Sequence, residues 1–194
     1  MALRLITAPA TQPITLAAAK LHLKIDDAAE DTWLQAAIES ASLAAEHETG
    51  RRWITQTWEA IYDAFPAGAI ELGLSPVQEV VSVKYLSQAG TEQTLATEAY
   101  VLDADHALGV GYVLPASSGA WPATAASANA VRVRFTVGYG ADATAVPAQA
   151  RQWMLMHIGT ACRMRESMAA GFTVTELPNR YHDALLDGLR VYRL

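Results

Sequence analysis

The strongest constraint on this chain is a double change of hydrophobic period. Apolar residues recur at helical spacing up to about residue 50, at every second position from Trp53 to Val137, and at helical spacing again after Pro147. A helical pattern cannot be accommodated as a half-buried strand, or the reverse, so the order must be helices, a β region, then helices. In DDAAEDTWLQAAIESASLAAEHETG, residues Leu34, Ile38, Ala41 and Ala45 form one stripe and Gly50 stands where a left-handed terminating residue is wanted. The spacing predicts a helix over 28–49. Ahead of it, Thr15 followed by LAAAKLHL predicts a short helix capped by the threonine hydroxyl.

The segments ITQTWEAIYDAF, AIELGL, VVSVKYLS, AYVLD, GYVLP and AVRVRFTVGYG are short, rich in β-branched and aromatic residues and separated by Pro and Gly, which predicts antiparallel strands. Ala89-Gly90 is the expected hairpin tip. In AVRVRFTV, Val131, Val133, Phe135 and Val137 alternate with Arg132, Arg134 and Thr136. One face should be buried, because a one-residue slip would place both arginines in the core. WPATAASANA, 121–130, holds only turn and small residues besides Trp121 and is expected to be a mobile loop.

Pro147 suits a first helical turn, and Ala150, Trp153, Met154, His157, Ile158, Ala161, Met164 and Met168 then make an apolar face expected to end at Gly171. The opposite face carries Arg151, Gln152, Arg163 and Glu166, the last two at a pairing distance along a helix. A final helix, NRYHDALLDGLRVYRL, aligns Tyr181, Leu185, Leu189 and Tyr192, with Gly188 weakening its interior by about 1 kcal/mol relative to Ala. Such a segment needs a partner surface. The expected class is α+β: a bundle of N-terminal (1–53) and C-terminal (147–194) helices with an antiparallel β insertion (54–146). The 38 alanines suit close helix contacts.

Charge narrows function. The chain has net charge −6, but residues 1–146 hold eight Lys/Arg against sixteen Asp/Glu, net −8, and residues 147–194 hold six arginines against four acids, net +2. Broad phosphate neutralisation is disfavoured. The single Cys162 excludes an intramolecular disulfide and a cysteine zinc site, and reads as a small buried hydrophobe. No long apolar run or signal-peptide pattern occurs, so a soluble, unexported protein is expected.

No catalytic constellation emerges. Asp26, Asp27, Glu30 and Asp31 sit where acids cap a helix start and lack the order of a calcium loop. The five histidines have no metal-binding spacing, and His157 reads as a core residue bonded to a carbonyl. GVG at 109–111 and GYG at 138–140 lack the lysine or third glycine of a phosphate loop and read as strand-end turns. No GxSxG elbow is present. The expectation is a non-enzyme without cofactor or metal. Arg190 and Arg193 flank an aromatic and aliphatic stripe at the chain end, a composition that interfaces favour.

The segments ITLAAAKLHLKID, EDTWLQAAIESA, ETGRRWITQTWEAIYDAFP, SPVQEVVSVKYLSQAGTEQTL, AYVLD, WPA, VRVRFTVGYG, VPAQARQWMLMHIGT and LPNRYHDALLDGLRVYRL, in this order, resemble the long, β-inserted branch of the head-tail connector (adaptor) proteins of tailed phages and prophages, with the source particle, a phage, a prophage or a gene transfer agent, left open. CRMRESM keeps Arg165-Glu166 of that family's usual C-terminal pattern but lacks its aromatics. The resemblance implies a structural virion protein at the head-tail junction, made in the bacterial cytoplasm. Its partners would be itself in a dodecameric ring, the portal protein, and the next neck, stopper or tail protein. DNA would pass through the lumen without specific binding, and no membrane is involved. It also implies that Tyr181, Leu185, Leu189, Arg190, Tyr192 and Arg193 contact the portal. The acidic body suits a conduit in which DNA must slide. The alternative reading is a small non-catalytic ligand- or protein-binding module using its β loops, with Trp121 and Tyr139 the suggestive residues.

Overall fold

The computed structural model describes residues 1–105, 110–116, 119–164 and 179–191. Thr15 opens α1 (Leu16–Leu23) as expected, its Oγ1 accepting from the Ala18 N–H at 3.1 Å. The second helix, α2 (Asp31–Thr49), starts three residues later than the periodicity predicts. Asp27 Oδ1 accepts from the Ala29 N–H at 3.0 Å, and the Asp31 N–H bonds the Ala28 carbonyl, so the side chain holds 28–30 in a turn. Asp31 then pairs with Lys20 of α1 at 2.6 Å. Gly50 ends α2 with φ 70°, as its position suggested.

A strand the sequence reading did not anticipate, β1 (Ala2–Thr7), precedes the helices and pairs with the later β region. The anticipated strands follow: β2 (Gln56–Tyr62), β3 (Ile70–Glu71), β4 (Val77–Leu86), β5 (Glu92–Thr94), β6 (Tyr100–Asp105), β7 (Val110–Pro115) and β8 (Val131–Val137). They form a five-stranded sheet, β1-β2-β8-β4-β5, and a three-stranded sheet, β3-β7-β6, antiparallel throughout. Gly90, φ 77°, sits in the β4–β5 turn. The central β8 has the expected register: Val131, Val133, Phe135 and Val137 are fully buried, while Arg132 is exposed.

The loop 121–130 is better anchored than its composition suggests. Trp121 Nε1 donates to the Gly68 carbonyl at 2.7 Å, its ring stacks on Phe65 at 4.9 Å, and the Asn129 N–H bonds Asp63 Oδ1 at 2.8 Å. One indole thus supplies the tether that the small residues could not.

Pro147 caps α3 (Ala148–Arg163) from just outside its first turn. The inward residues of α3 are Ala150, Trp153, Met154 and Ile158. The expected extension through Met168 to Gly171, and the Arg163–Glu166 pair, lie outside the described residues. The last helix, α4, is short (Asn179–Asp187), and Gly188 follows it rather than interrupting it. Two buried clusters result. One joins Leu34, Ile38, Trp53, Val146, Met154, Ile158 and Leu186 from the helices and their flanks; the other fills the space between the sheets with Ile70, Leu72, Val83, Val113 and the inward face of β8. The class is α+β, as expected, with helices from both chain ends packed together.

Candidate functional site

The terminal segment was singled out by its amphipathic stripe, and its seat is built at the C-terminal end of α2. Once Gly50 turns the chain, Arg51 points inward and is 5% exposed. Its Nε donates to the Leu189 carbonyl at 2.5 Å and its Nη1 to Ser75 Oγ at 3.4 Å. Thr49, also buried, back-bonds its hydroxyl to the Ala45 carbonyl at 2.7 Å, and its own carbonyl accepts from the Val191 N–H at 2.8 Å. A β-carbon on Gly50 would stand 3.5 Å from Val191 Cβ, so the tail crosses this helix end in close contact. Arg51 also lies against Tyr139, whose hydroxyl burial pushes up in pKa while the guanidinium opposes that rise. One buried cation therefore ties together α2, the strand entry at Ser75 and the tail.

The face of α4 that enters the core is set by Leu186, 1% exposed, and Leu189, 9% exposed, with Leu185 half-buried against the same cluster. His182 stacks on Trp153 at 4.9 Å and His157 at 5.0 Å. Burial and the neighbouring His182 hold the His157 imidazole below its ordinary pKa of 6.5. His157 is half-buried and stacked on an indole, with no carbonyl partner among the described residues. Arg190 lies at the surface, paired with Glu48 of α2 at 3.2 Å and with Asp187 at 3.8 Å.

Of the six residues implied as portal contacts, Leu185 and Leu189 thus face the subunit's own interior and Arg190 its surface. The side chain of Tyr181, and the whole of Tyr192 and Arg193, lie outside the described residues. Sequence reasoning missed Arg51, Thr49 and Ser75. In GRRW nothing distinguishes the buried arginine from Arg52, which instead pairs with Glu46 at 3.4 Å.

The other candidates resolve into structure. Asp27 and Asp31 serve the helix entry, and no group of three or more metal-binding side chains occurs among the described residues. No described helix is long and apolar enough to cross a membrane. Gly138, φ 129°, would bring a β-carbon to 2.6 Å from the Ile54 carbonyl carbon, so it serves close strand packing. Trp121 is fixed to Gly68, and Tyr139 stacks on Trp53 at 5.8 Å, so neither is presented as a free binding platform. Cys162 is half-buried near the end of α3.

Comparison with known proteins shows what the chain is similar to. Residues 13–103 match the family described as Phage gp6-like head-tail connector protein, which bears out the resemblance carried by the sequence. The fold over the whole chain is that of proteins in gene transfer agent (GTA) particles. A chain from the neck of an empty GTA particle, computed with C6 symmetry, superposes with a TM-score of 0.82 at 24% identity, covering 100% of this chain and 97% of that one. A chain of the native GTA virion gives 0.81 at 24% identity with the same coverage. A chain from the neck of the native particle, computed with C12 symmetry, gives 0.75 at 26% identity, again covering 100% and 97%. No curated protein sequence matches the chain.

Proposed function

We infer that the chain is a structural neck subunit, a head-tail connector of a tailed particle, located in the virion at the head-tail junction. The observation that carries this reading is the superposition of its entire length on a neck subunit 26% identical to it, with 97% of that subunit covered in return.

Within that reading, twelve copies form a ring beneath the portal and the chain end contacts the portal. The packing of α4 supports a division of labour in the terminal segment. Leu185 and Leu189 root it in the helical core. Tyr181, Arg190, Tyr192 and Arg193 are then the contacts offered to the portal, with the next neck or tail protein on the opposite side of the ring. An acidic body lets DNA pass without being held.

Co-purification of the chain with the portal protein of its own particle tests this. Wild type should be retained, and Arg190→Glu with Arg193→Glu should lose retention while melting within a few degrees of wild type. Equal retention of the charge-reversed chain would remove the tail from the portal contact.

A further inference from the structure

We propose that neighbouring copies join by pairing the free edge of β1 in one subunit with the free edge of β6 in the next, so that the ring is closed by strand addition between β layers. The inference rests on the ring reading above and supplies its lateral contact.

Both strands are the outermost of their sheets, each is six residues long, and among the described residues neither has a strand partner on its outer side. Of the other edges, β3 has two residues and β5 three, and the stretch of β4 that β5 leaves uncovered, with Val81 exposed, is broken by register shifts at Val77/Glu79 and Val80/Ser82, which makes it a poorer template. The long edges also carry apolar side chains in water: Leu5 is 43% exposed, Ile6 37% and Val101 55%. Open backbone beside exposed aliphatic side chains is the combination that recruits another strand.

Their placement suits a head-to-tail contact. Tyr62 of β2 donates its hydroxyl to the Glu71 carbonyl of β3, and Gly73 faces Met1 and Leu3, so β3 stands over the β1–β2 side of the larger sheet. At the other end of the small sheet, β6 packs on β4. The free edges of β1 and β6 therefore lie on opposite sides of the β layer. A contact between two different surfaces on opposite sides repeats from copy to copy and closes into a ring when its rotation allows, whereas a contact of one patch with itself stops at a dimer.

Charge favours the same match. On the face of the large sheet turned away from the core between the sheets, the buried Glu59 accepts from Arg4 of β1 at 2.5 Å and from Arg134 of β8 at 3.1 Å. Two guanidiniums share one carboxylate, so this group across β1, β2 and β8 has one positive charge in excess, and Arg4, 57% exposed, is its member at the β1 edge. The outer strand β6 presents Asp103, exposed. The β1 register shifts between Leu5 and Thr7, so Ala2–Leu5 is the regular run available for pairing.

The test uses full-length chains in which Cys162 is replaced by Ser, with either Leu5→Cys or Val101→Cys, and a short bismaleimide cross-linker, with and without the portal of the particle. The two variants mixed should give cross-linked dimers, neither alone should do so, and a chain carrying both should give a ladder of higher species. Leu5→Lys and Val101→Lys should each weaken self-association at least tenfold while leaving the melting temperature near wild type. Absence of cross-linking in the mixture overturns the edge pairing, as does self-linking of either single variant. Light scattering of unmodified chain separates the two claims: rings that form without these cross-links leave the connector reading standing and remove the pairing alone.

Discussion

Arg51 concentrates the consequences of the fold in one side chain, because its Nε reaches the Leu189 carbonyl across 138 positions of sequence. Arg51→Ala leaves that buried carbonyl unpaired and should lower stability by about 2–3 kcal/mol, read from the denaturant midpoint at constant slope. Arg52→Ala, which removes a partly exposed ion pair with Glu46, should cost less than about 1 kcal/mol. Gly138→Ala should be more damaging than an ordinary surface change, since φ 129° and a 2.6 Å approach to Ile54 leave a β-carbon no room. His157 gives a pH signature. Its folded pKa lies below the ordinary 6.5, so the unfolded chain takes up the proton first as pH falls. Its contribution is intact above pH 6.5 and is lost as pH falls from there through the folded value. His157→Gln should flatten the melting temperature against pH between roughly 7 and 5.5, and a slope equal to wild type would assign the effect to other groups.

At the scale of elements, α4 is the point on which the account departs from the sequence. Its stripe of Tyr181, Leu185, Leu189 and Tyr192 suggested a segment waiting for another protein, whereas Leu186 and Leu189 are buried in the helical cluster of the subunit itself. Leu186→Ala should cost about 3 kcal/mol, and removal of residues 179–194 should lower the melting temperature by on the order of 10 °C. A truncated chain that melts like wild type would restore the tail to a purely external role. Elsewhere legibility followed the strength of the local signal. The alternation through β8 and the cap at Thr15 were plain, because burial on one face and an orphan amide each demand particular residues. The first strand, ALRLIT, has the same alternation of Leu3 and Leu5 around Arg4, but it is short and its partner lies more than fifty residues away. The seat of the tail was illegible for a similar reason: a buried arginine is chosen by tertiary contacts, not by its neighbours in GRRW.

For the molecule as a whole, the division into an acidic first three-quarters and a basic last quarter takes on spatial meaning, since the basic quarter folds back onto the acidic helix it follows through Arg190 and Glu48. Raising ionic strength should therefore have little effect on the subunit's melting temperature, which rests on two apolar clusters, and a larger effect on its assembly. The central claim is that this chain is a ring-forming neck subunit. Electron microscopy of the purified chain mixed with the portal protein of its own particle tests it most directly. The account predicts an added ring of density, with the symmetry of the portal, on one face of the portal. Portal images indistinguishable from those without the chain, with the chain remaining monomeric in the same mixture, would contradict it.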